Sequence, residues 1–245
     1  MILVVYGQQK SASTYLAHLA RAVCESSGVP QEALRKRVLT GPLERHRVFW
    51  RDNHLFNVTK VADRLKPGEN LSIKTHAEFQ PRYTEALGRP DVRVLISYRH
   101  PGDAALSAFE AGERARREAD KNKPFFSAIH SHRGGIDVMA RLLERATIPW
   151  LKSAMGVPFS YEQITRETQS VLDVLCDLVN CRREALEAND ALQALLSGER
   201  RVYNFNKGVS GRYKEMFSLA DQAYLEERCG KFMRFCEGEL PVASL

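Results

Sequence analysis

The sequence of this 245-residue chain lacks the features of several specialised protein classes. No apolar run reaches the roughly 20 residues that a membrane-spanning helix needs, so no membrane span is predicted. Met1 leads straight into an apolar strand pattern, without a basic region, an apolar segment and a cleavage site. We therefore predict no signal peptide.

Cysteine is also scarce. Five cysteines, none of them in a Cys-x-x-Cys pair, are too few and too scattered to predict a disulfide framework or a zinc site. Their odd number fits a reducing compartment, and a cytoplasmic location is expected. His130 and His132 form a close pair without an adjacent acidic ligand, so no metal site is predicted there.

The chain has only a modest excess of positive charge. The chain has 36 basic and 30 acidic residues, a net charge of +6. Such an excess is compatible with a small polyanionic ligand, with nucleic acid or with an acidic surface, and it does not choose among them. Mixed runs such as residues 113–118 predict the solvated face of a helix rather than a binding patch.

What the sequence does contain is a regular alternation of strand and helix patterns. Strands are predicted at residues 1–6, 70–74, 92–98 and 157–161, and helices at 14–27, 102–119, 134–146, 167–180, 184–197 and 213–236. This alternation predicts an α/β fold, with a parallel sheet flanked by helices on both faces. No repeat, low-complexity tract or long linker divides the chain, so residues 1–245 are predicted to form a single domain.

The most informative stretch is the polar loop after the first predicted strand. Residues 7–14 contain Lys10 and the hydroxyls of Ser11, Ser13 and Thr14, and a helical pattern begins immediately afterwards. The unpaired amides of a first helical turn point into such a loop, and the helix dipole favours negative charge there. The loop therefore predicts a phosphate or sulfate site.

Three further polar clusters follow strand or glycine-turn signals. They are Lys74-Thr75-His76, the run from Arg99 to Asp103 with Ser107 beyond it, and the basic segment 206–214. Because ligands of open parallel sheets bind beyond the carboxyl ends of the strands, we expect these clusters to share one site. Arg99 could instead form an internal ion pair with Asp103 or Glu110.

Two other functions compete with this interpretation. A nucleotide-dependent kinase would carry Gly-x-x-x-x-Gly-Lys-[Ser/Thr], but Ala12 stands where the second glycine belongs and Lys10 precedes the hydroxyls. No predicted strand ends in a metal-binding aspartate. A non-catalytic polyanion or nucleic-acid binder is the second alternative, although the aromatic–basic interleaving of single-strand binders is lacking.

Taken in order, the clusters resemble the motifs of sulfotransferases that use 3′-phosphoadenosine 5′-phosphosulfate (PAPS). Lys10-Ser11-Ala12-Ser13-Thr14-Tyr15 is similar to their Lys-Ser-Gly-Thr-Thr-Trp loop, and Lys74-Thr75-His76 matches the Lys-Thr-His of the cytosolic members. Arg99-x-x-x-Asp103-x-x-x-Ser107 resembles their 3′-phosphate motif. Tyr161-Glu162 and the late segment Lys207-Gly208-x-x-Gly211-Arg212-Tyr213-Lys214 resemble two more.

The resemblance implies a P-loop-like sulfotransferase fold and transfer of a sulfuryl group from PAPS to a hydroxyl or amine, without a metal. It implies that PAPS contacts Lys10, Ser11, Ala12, Ser13, Thr14, Tyr15, Arg99, Ser107, Tyr161, Lys207 and Gly208. His76 would be the general base, with an ordinary imidazole pKa, and Lys10 would stabilise the leaving phosphate. Lys74 and Ser107 complete the implied catalytic group.

Some positions depart from the family pattern. Tyr15 and Tyr213 replace tryptophans, Asn206 replaces an arginine, and the dimerisation segment that follows is degenerate, so no oligomeric state is predicted. Ala12 replaces a glycine, so its backbone must avoid positive φ or accept strain.

The acceptor is predicted to be a small molecule, carbohydrate or lipid rather than nucleic acid. Its walls would come from segments 41–58 and 77–83, whose aromatic residues could equally belong to the core. These aromatic candidates are Phe49, Trp50, Phe56, Phe79 and Tyr83, together with His54.

Overall fold

The computed structural model describes residues 1–40, 49–50, 55, 57–118, 124–199 and 209–245. The predicted ligands Lys207 and Gly208 lie outside the described residues, as does most of the predicted acceptor segment 41–58. Within the described part of the chain, no helix is long and apolar enough to cross a membrane.

Within these described residues, five parallel strands form the sheet. They are β1 Ile2–Gly7, β2 Phe49–Trp50, β3 Leu71–Thr75, β4 Val92–Tyr98 and β5 Gly156–Ser160. Their order across the sheet is β2-β3-β1-β4-β5. The four predicted strands are confirmed within a residue at each end, whereas β2 was not predicted because two residues are too few to show a period.

Helices connect and flank the strands. They are α1 Ser13–Ser26, α2 Gln31–Val38, α3 Val58–Ala62, α4 Thr84–Leu87, α5 Pro101–Arg117, α6 Pro124–Ser127, α7 His132–Leu142, α8 Ile148–Lys152, α9 Tyr161–Arg166, α10 Thr168–Val179, α11 Arg183–Glu187, α12 Asp190–Leu196, α13 Tyr213–Met216 and α14 Leu219–Cys236. Short 3₁₀ turns occupy Pro81–Tyr83 and Val242–Ser244, and a π-helical turn at Leu143–Thr147 joins α7 to α8.

Alternation along β1 explains why helices cover both faces of the sheet. Val4 and Tyr6 belong to one hydrophobic core, and Leu3 and Val5 belong to the other. Helices α1, α10 and α12 cover the Leu3 face, while α5, α7 and α14 cover the opposite face. Because neighbouring strand residues point to opposite faces, a fully apolar β1 needs cover on both sides. The predicted α/β fold is confirmed.

Two helices that were predicted to be continuous are each divided into two in the structure. The pattern over 184–197 is divided between α11 and α12, and the pattern over 213–236 between α13 and α14. Side chains at the breaks explain the difference: Asn189 accepts a hydrogen bond from Leu192 N, and Ser218 accepts one from Asp221 N. Each residue is an N-cap that begins a new helix, although the helical spacing of apolar residues continues across the break.

Helix α2 closes the outer edge of β3 beyond the short β2. Gln31 accepts a hydrogen bond from Ser72 N at 2.8 Å and donates one to the carbonyl oxygen of Asn70 at 2.6 Å. Arg35 donates to the carbonyl oxygen of Ser72 at 2.6 Å. These side chains satisfy backbone groups that a longer neighbouring strand would otherwise bond.

Candidate anion-binding and transfer site

The candidate site lies in a crevice between the ends of β1 and β4. These strands are hydrogen-bonded neighbours, but α1 and α5, which follow them, pack on opposite faces of the sheet. Such a divergence opens a cleft at the carboxyl ends of parallel strands, the usual ligand position in α/β folds. Arg99 Nη1 joins the two loops by donating to the carbonyl oxygen of Lys10 at 3.3 Å.

Close packing shapes the loop after β1. A Cβ atom at Gly7 would lie only 2.0 Å from Ser13 Cβ and 2.8 Å from Ser97 Oγ, so no larger residue fits at this position. The Ser11 hydroxyl donates to the carbonyl oxygen of Gln8 at 2.6 Å and lies 2.8 Å from Ser97 Oγ. Ser11 and Ser13 are buried, so their side chains shape the loop from within.

The loop backbone accepts strain at two positions. Lys10 has φ 70° and Ala12 has φ 60°, both in the left-handed region. That region costs roughly 1–2 kcal/mol for a residue with a Cβ atom. Of the two expectations for Ala12, the strained one is therefore found. The turn brings the chain into α1 at Ser13, where the first helical amides face the loop.

Lys74 reaches the loop from β3. Its Nζ donates to Thr14 Oγ1 at 2.7 Å, which leaves the hydroxyl hydrogen of Thr14 able to donate elsewhere. Desolvation lowers the pKa of Lys74 to about 8, and no described carboxylate offsets this effect. A desolvated ammonium in this position is an electrostatic site for an anion.

His76 lies just beyond the end of β3. Its Nδ1 lies 2.5 Å from the carbonyl oxygen of Gly7, so Nδ1 carries the proton and Nε2 is the acceptor nitrogen of the neutral ring. Burial, together with the positive charge of Lys74, lowers the pKa of His76 to about 3. The expectation of an ordinary imidazole pKa was wrong, because sequence does not reveal desolvation.

Arg99 is buried at the end of β4 and stacks on an aromatic ring. Its guanidinium carbon lies 3.7 Å from the centroid of the Tyr161 ring, and Nη2 donates to the carbonyl oxygen of Val209 at 3.0 Å. Burial lowers the pKa of Arg99. Among the described residues, Nε of Arg99 is buried without a hydrogen-bond partner. Tyr161 begins α9 rather than ending the predicted strand.

The alternative partners proposed for Arg99 hold another segment instead. Asp103 accepts hydrogen bonds from the backbone amides of Gly211 at 2.7 Å and Tyr213 at 3.4 Å. Glu110 accepts two from Arg212, the shorter at 2.6 Å. The carboxylates of α5 therefore anchor the segment that follows Lys207 and Gly208 in sequence.

Glu162 adds a third anchor to this segment, because its carboxylate accepts a hydrogen bond from the Ser210 hydroxyl. The Tyr-Glu pair at residues 161–162 thus contacts both Arg99 and the late segment. The sequence motifs that lie far apart in the chain meet here through side chains.

The remaining predicted residues differ in position. Ser107 is buried on α5, two helical turns beyond Arg99, and Tyr15 is half-buried on α1. Tyr83 is fully buried, which favours its core interpretation over an acceptor wall. Phe79 is half-buried and packs edge-on against Trp150, with ring centroids 5.2 Å apart.

Histidine clusters offer no metal centre within the described residues, where no group of three or more His, Cys, Asp or Glu side chains is arranged to hold an ion. His132 lies between aromatic rings, with centroids 4.7 Å from those of Phe109 and Phe217. Its Nδ1 is 3.8 Å from an oxygen of Asp221. It therefore contributes to packing between α5, α7 and the connection from α13 to α14.

Three residues near the site were missed by sequence reasoning. Gln8 is buried and accepts a hydrogen bond from Arg99 N at 2.9 Å. His100 caps α5 by accepting a hydrogen bond from Gly102 N at 3.2 Å. The ring of Phe126, on α6, lies under Lys10 Nζ, 4.2 Å from the ring centroid. Only the capping position of His100, before Pro101-Gly102, left a signal in the sequence.

Comparison with known proteins identifies the fold. No protein-family model and no curated protein matches the sequence. The structure is similar to that of mouse sulfotransferase SULT7A1 complexed with PAP, with 12% sequence identity and a TM-score of 0.57 over 98% of this chain and 89% of that chain.

Two structures of retinol dehydratase are also similar. The complex with androsterone and the inactive cofactor PAP has 14% identity and a TM-score of 0.55, over 94% of this chain and 80% of that chain. The complex with retinol and PAP has 13% identity and a TM-score of 0.56, over 98% and 83%. The protein therefore has a sulfotransferase-like fold, as its motifs predicted.

Proposed function

We propose that this protein is a sulfotransferase that moves a sulfuryl group from PAPS to a hydroxyl or amine of a small acceptor. One observation carries the proposal: residues from the ends of β3 and β4 contact the loop and helix that follow β1. Lys74 bonds Thr14, His76 bonds the carbonyl oxygen of Gly7, and Arg99 bonds the carbonyl oxygen of Lys10. The sulfotransferase-like fold, found in PAP complexes, supports the same class of reaction.

The polar groups of the crevice fit a nucleotide with two separate phosphates. Lys74 and Arg99 are desolvated cations; Asp103 and Glu162 offset the desolvation of Arg99 in part, whereas no described carboxylate offsets that of Lys74. Nε of Arg99 has no described partner. Because removing a cation from water is unfavourable, a bound anion would stabilise both positions.

The two phosphates are assigned to opposite sides of the crevice. The amides of residues 12–14, the Thr14 hydroxyl and Lys74 suit the 5′ side, which faces the helix N-terminus. Arg99 and Ser107 suit the 3′-phosphate, and the family resemblance adds Lys207 and Gly208 to that side. Charge-assisted bonds of about 1.5–3 kcal/mol each would distinguish this nucleotide from ATP.

Chemistry needs a cation for the leaving group and a base for the acceptor. The acceptor oxygen or nitrogen forms a bond to sulfur as the bond between sulfur and the phosphate oxygen breaks. Nε2 of His76 takes the acceptor proton, because Nδ1 is committed to the Gly7 carbonyl. Lys10 stabilises the charge that develops on the phosphate oxygen. These steps require no metal ion.

The acceptor is proposed to be a small molecule, carbohydrate or lipid. The complexes of retinol dehydratase with retinol and androsterone favour an apolar acceptor. The half-buried Phe79, close to the end of β3, is the described aromatic residue best placed to contact it. A cytoplasmic location is also proposed, which the five free cysteines support.

A thermal-shift comparison tests the nucleotide. Adenosine 3′,5′-bisphosphate without metal should stabilise the protein by about 2.7 kcal/mol at a concentration 100 times its Kd, whereas ATP with magnesium should not. Transfer from labelled PAPS to phenols, sterols, sugars and amines would then identify the acceptor class.

Two outcomes would contradict the proposal. Stabilisation by ATP with magnesium alone would indicate a kinase. Indifference to both nucleotides, combined with salt-sensitive binding of RNA or DNA, would indicate a non-catalytic polyanion binder.

A further inference from the structure

Phe126 lies against the cation that the proposed reaction depends on. Lys10 Nζ is 4.2 Å from the centroid of the Phe126 ring, within the range of a cation–π interaction. Phe126 belongs to none of the motifs discussed above, and α6, which carries it, follows the described end of α5. The contact is therefore a property of the folded chain that the motifs do not include.

The backbone around Phe126 is fixed by α5. A Cβ atom at Gly112 would lie 2.3 Å from the carbonyl oxygen of Phe126, so the two segments are in close contact. Arg116 Nη1 donates to the carbonyl oxygens of Ser127 at 2.8 Å and Ile129 at 2.6 Å. The backbone amide of Ile129 donates to Phe126 O at 2.9 Å. The ring thus stands on an anchored support rather than on a loose loop.

Lys10 is the cation of a strained loop. Its backbone occupies the left-handed region, and holding a lysine side chain in one place costs rotamer entropy. The face of an aromatic ring attracts an ammonium electrostatically, without accepting a conventional hydrogen bond from it. Phe126 therefore restricts where the ammonium lies.

We propose that Phe126 is a positioning residue that holds the Lys10 ammonium in its reactive place before PAPS binds. This inference rests on the proposed role of Lys10 in sulfuryl transfer. It predicts an effect on turnover rather than on nucleotide affinity, because positioning a group for the transition state raises kcat.

The contact itself can be measured without any activity. Reductive ¹³C-methylation of the lysines keeps their charge, and a Lys10 methyl signal above a ring face should appear upfield of the other lysine signals. Lys10→Arg assigns that signal by removing it. Phe126→Leu should abolish the upfield shift, whereas Phe125→Leu should keep it. Phe125 is the matched control because it is the neighbouring aromatic residue on α6 and is 49% exposed. Its ring also packs against that of Phe126, with centroids 5.2 Å apart, so Phe125→Leu tests whether loss of this neighbour alone moves the Lys10 signal.

Kinetics then separate positioning from packing. Phe126→Leu should lower kcat about 3- to 30-fold, the scale of a cation–π interaction, with little change in the KM for PAPS. Phe126→Tyr keeps a ring and should restore kcat, and Phe125→Leu should resemble the wild type. Thermal melts show whether each variant folds. If Phe126→Leu does not fold, the chemical shift of the Lys10 signal in the wild type still tests the contact.

Clear results would overturn the inference. One such result is a Lys10 signal that shows no upfield shift in the wild type. Another is an unchanged or increased kcat in folded Phe126→Leu. In either case the wild type would still transfer the sulfuryl group from PAPS. Failure of the proposed function looks different, because the wild type would then neither bind adenosine 3′,5′-bisphosphate nor transfer sulfuryl.

Discussion

The ends of β3 and β4 each lead to a histidine, and the two rings are used in opposite ways. His76 donates from Nδ1 to the carbonyl oxygen of Gly7, whereas His100 accepts at Nδ1 from the amide of Gly102. The Nε2 atom of His100 faces the hydroxyl of Tyr213 at 3.4 Å, and the two rings stack. Both of its nitrogens therefore serve the fold.

This difference shows that the partner of Nδ1 decides what a histidine can do. A carbonyl partner fixes the proton on Nδ1 and makes Nε2 the nitrogen that can accept a proton, whereas an amide partner occupies the ring's lone pair itself. Burial lowers the pKa of both residues, to about 3 for His76 and about 4 for His100. Burial and pKa alone would thus not distinguish the proposed base from the structural ring.

Alanine at each histidine gives the largest expected contrast. His76→Ala should lower kcat about 10²- to 10⁴-fold, the usual contribution of a general base. His100→Ala should leave kcat near the wild-type value but destabilise the protein by about 0.5–2 kcal/mol, as expected for a lost N-cap. Steady-state rates and chemical denaturation measure the two effects. Equal kcat losses in both variants would contradict the distinction.

Lys10→Ala extends the contrast to the end of β1. Loss of one group that stabilises developing charge should lower kcat about 10²- to 10³-fold. Single-turnover rates with labelled PAPS measure the chemical step directly. Lys66→Ala is a suitable control, since that lysine is exposed in the turn after α3. A normal single-turnover rate in Lys10→Ala would remove this residue from the reaction.

Asp103→Asn tests the contacts that hold the backbone of Gly211 and Tyr213 against α5. Its carboxylate accepts hydrogen bonds from Gly211 and Tyr213, so the change weakens the anchor of the late segment. Bonds to a charged group contribute about 1.5–3 kcal/mol, which corresponds to a loss of roughly 10- to 100-fold in affinity for adenosine 3′,5′-bisphosphate. Calorimetric titration measures this loss. Wild-type affinity would show that the anchor does not support nucleotide binding.

Acid should destabilise the protein through the same two histidines. Between the ordinary histidine pKa of 6.5 and the lowered folded values, the unfolded chain binds more protons, so stability falls as pH decreases. Melting temperatures from pH 7 to 4.5 should decrease less steeply in His76→Ala and in His100→Ala than in the wild type. Identical slopes in all three proteins would contradict the assignment.

Tyr213→Phe gives the smallest expected effect. It removes the hydroxyl that faces His100 but keeps the stacked ring, whose centroid lies 4.7 Å from that of the imidazole. A single net hydrogen bond is worth about 0.5–1.5 kcal/mol, and a 3.4 Å contact should fall at the lower end. Urea denaturation measures the difference. A large decrease in kcat would mean that His100 has a chemical role.

The predictable parts of this molecule are those that depend on local pattern. Strand β4 was predicted at its observed bounds because five of its seven residues are apolar or aromatic and three are β-branched, a composition typical of a strand. Strand β2 was missed because it is too short, and the breaks at Asn189 and Ser218 were missed because apolar periodicity continues across them.

The features of the candidate site likewise separate into those that the sequence predicts and those that it does not. Motif order placed Lys10, His76 and Arg99 at one edge of the sheet, since parallel strands align their carboxyl ends. The direction of each imidazole hydrogen bond, the desolvation of Lys74 and the ring beneath Lys10 depend on contacts between distant segments. No local pattern encodes such contacts, so the electrostatics of the site could not be predicted.

The closure of β3 by α2 has a consequence for how the molecule behaves in a crowded solution. Backbone groups of Asn70 and Ser72 are already bonded to Gln31 and Arg35, so this stretch offers no template to an extended segment of another chain. Replacing Gln31 and Arg35 with alanine would leave these backbone groups without their partners. Intermolecular strand addition, and with it aggregation during refolding, would then begin on the flank of the sheet farthest from β5.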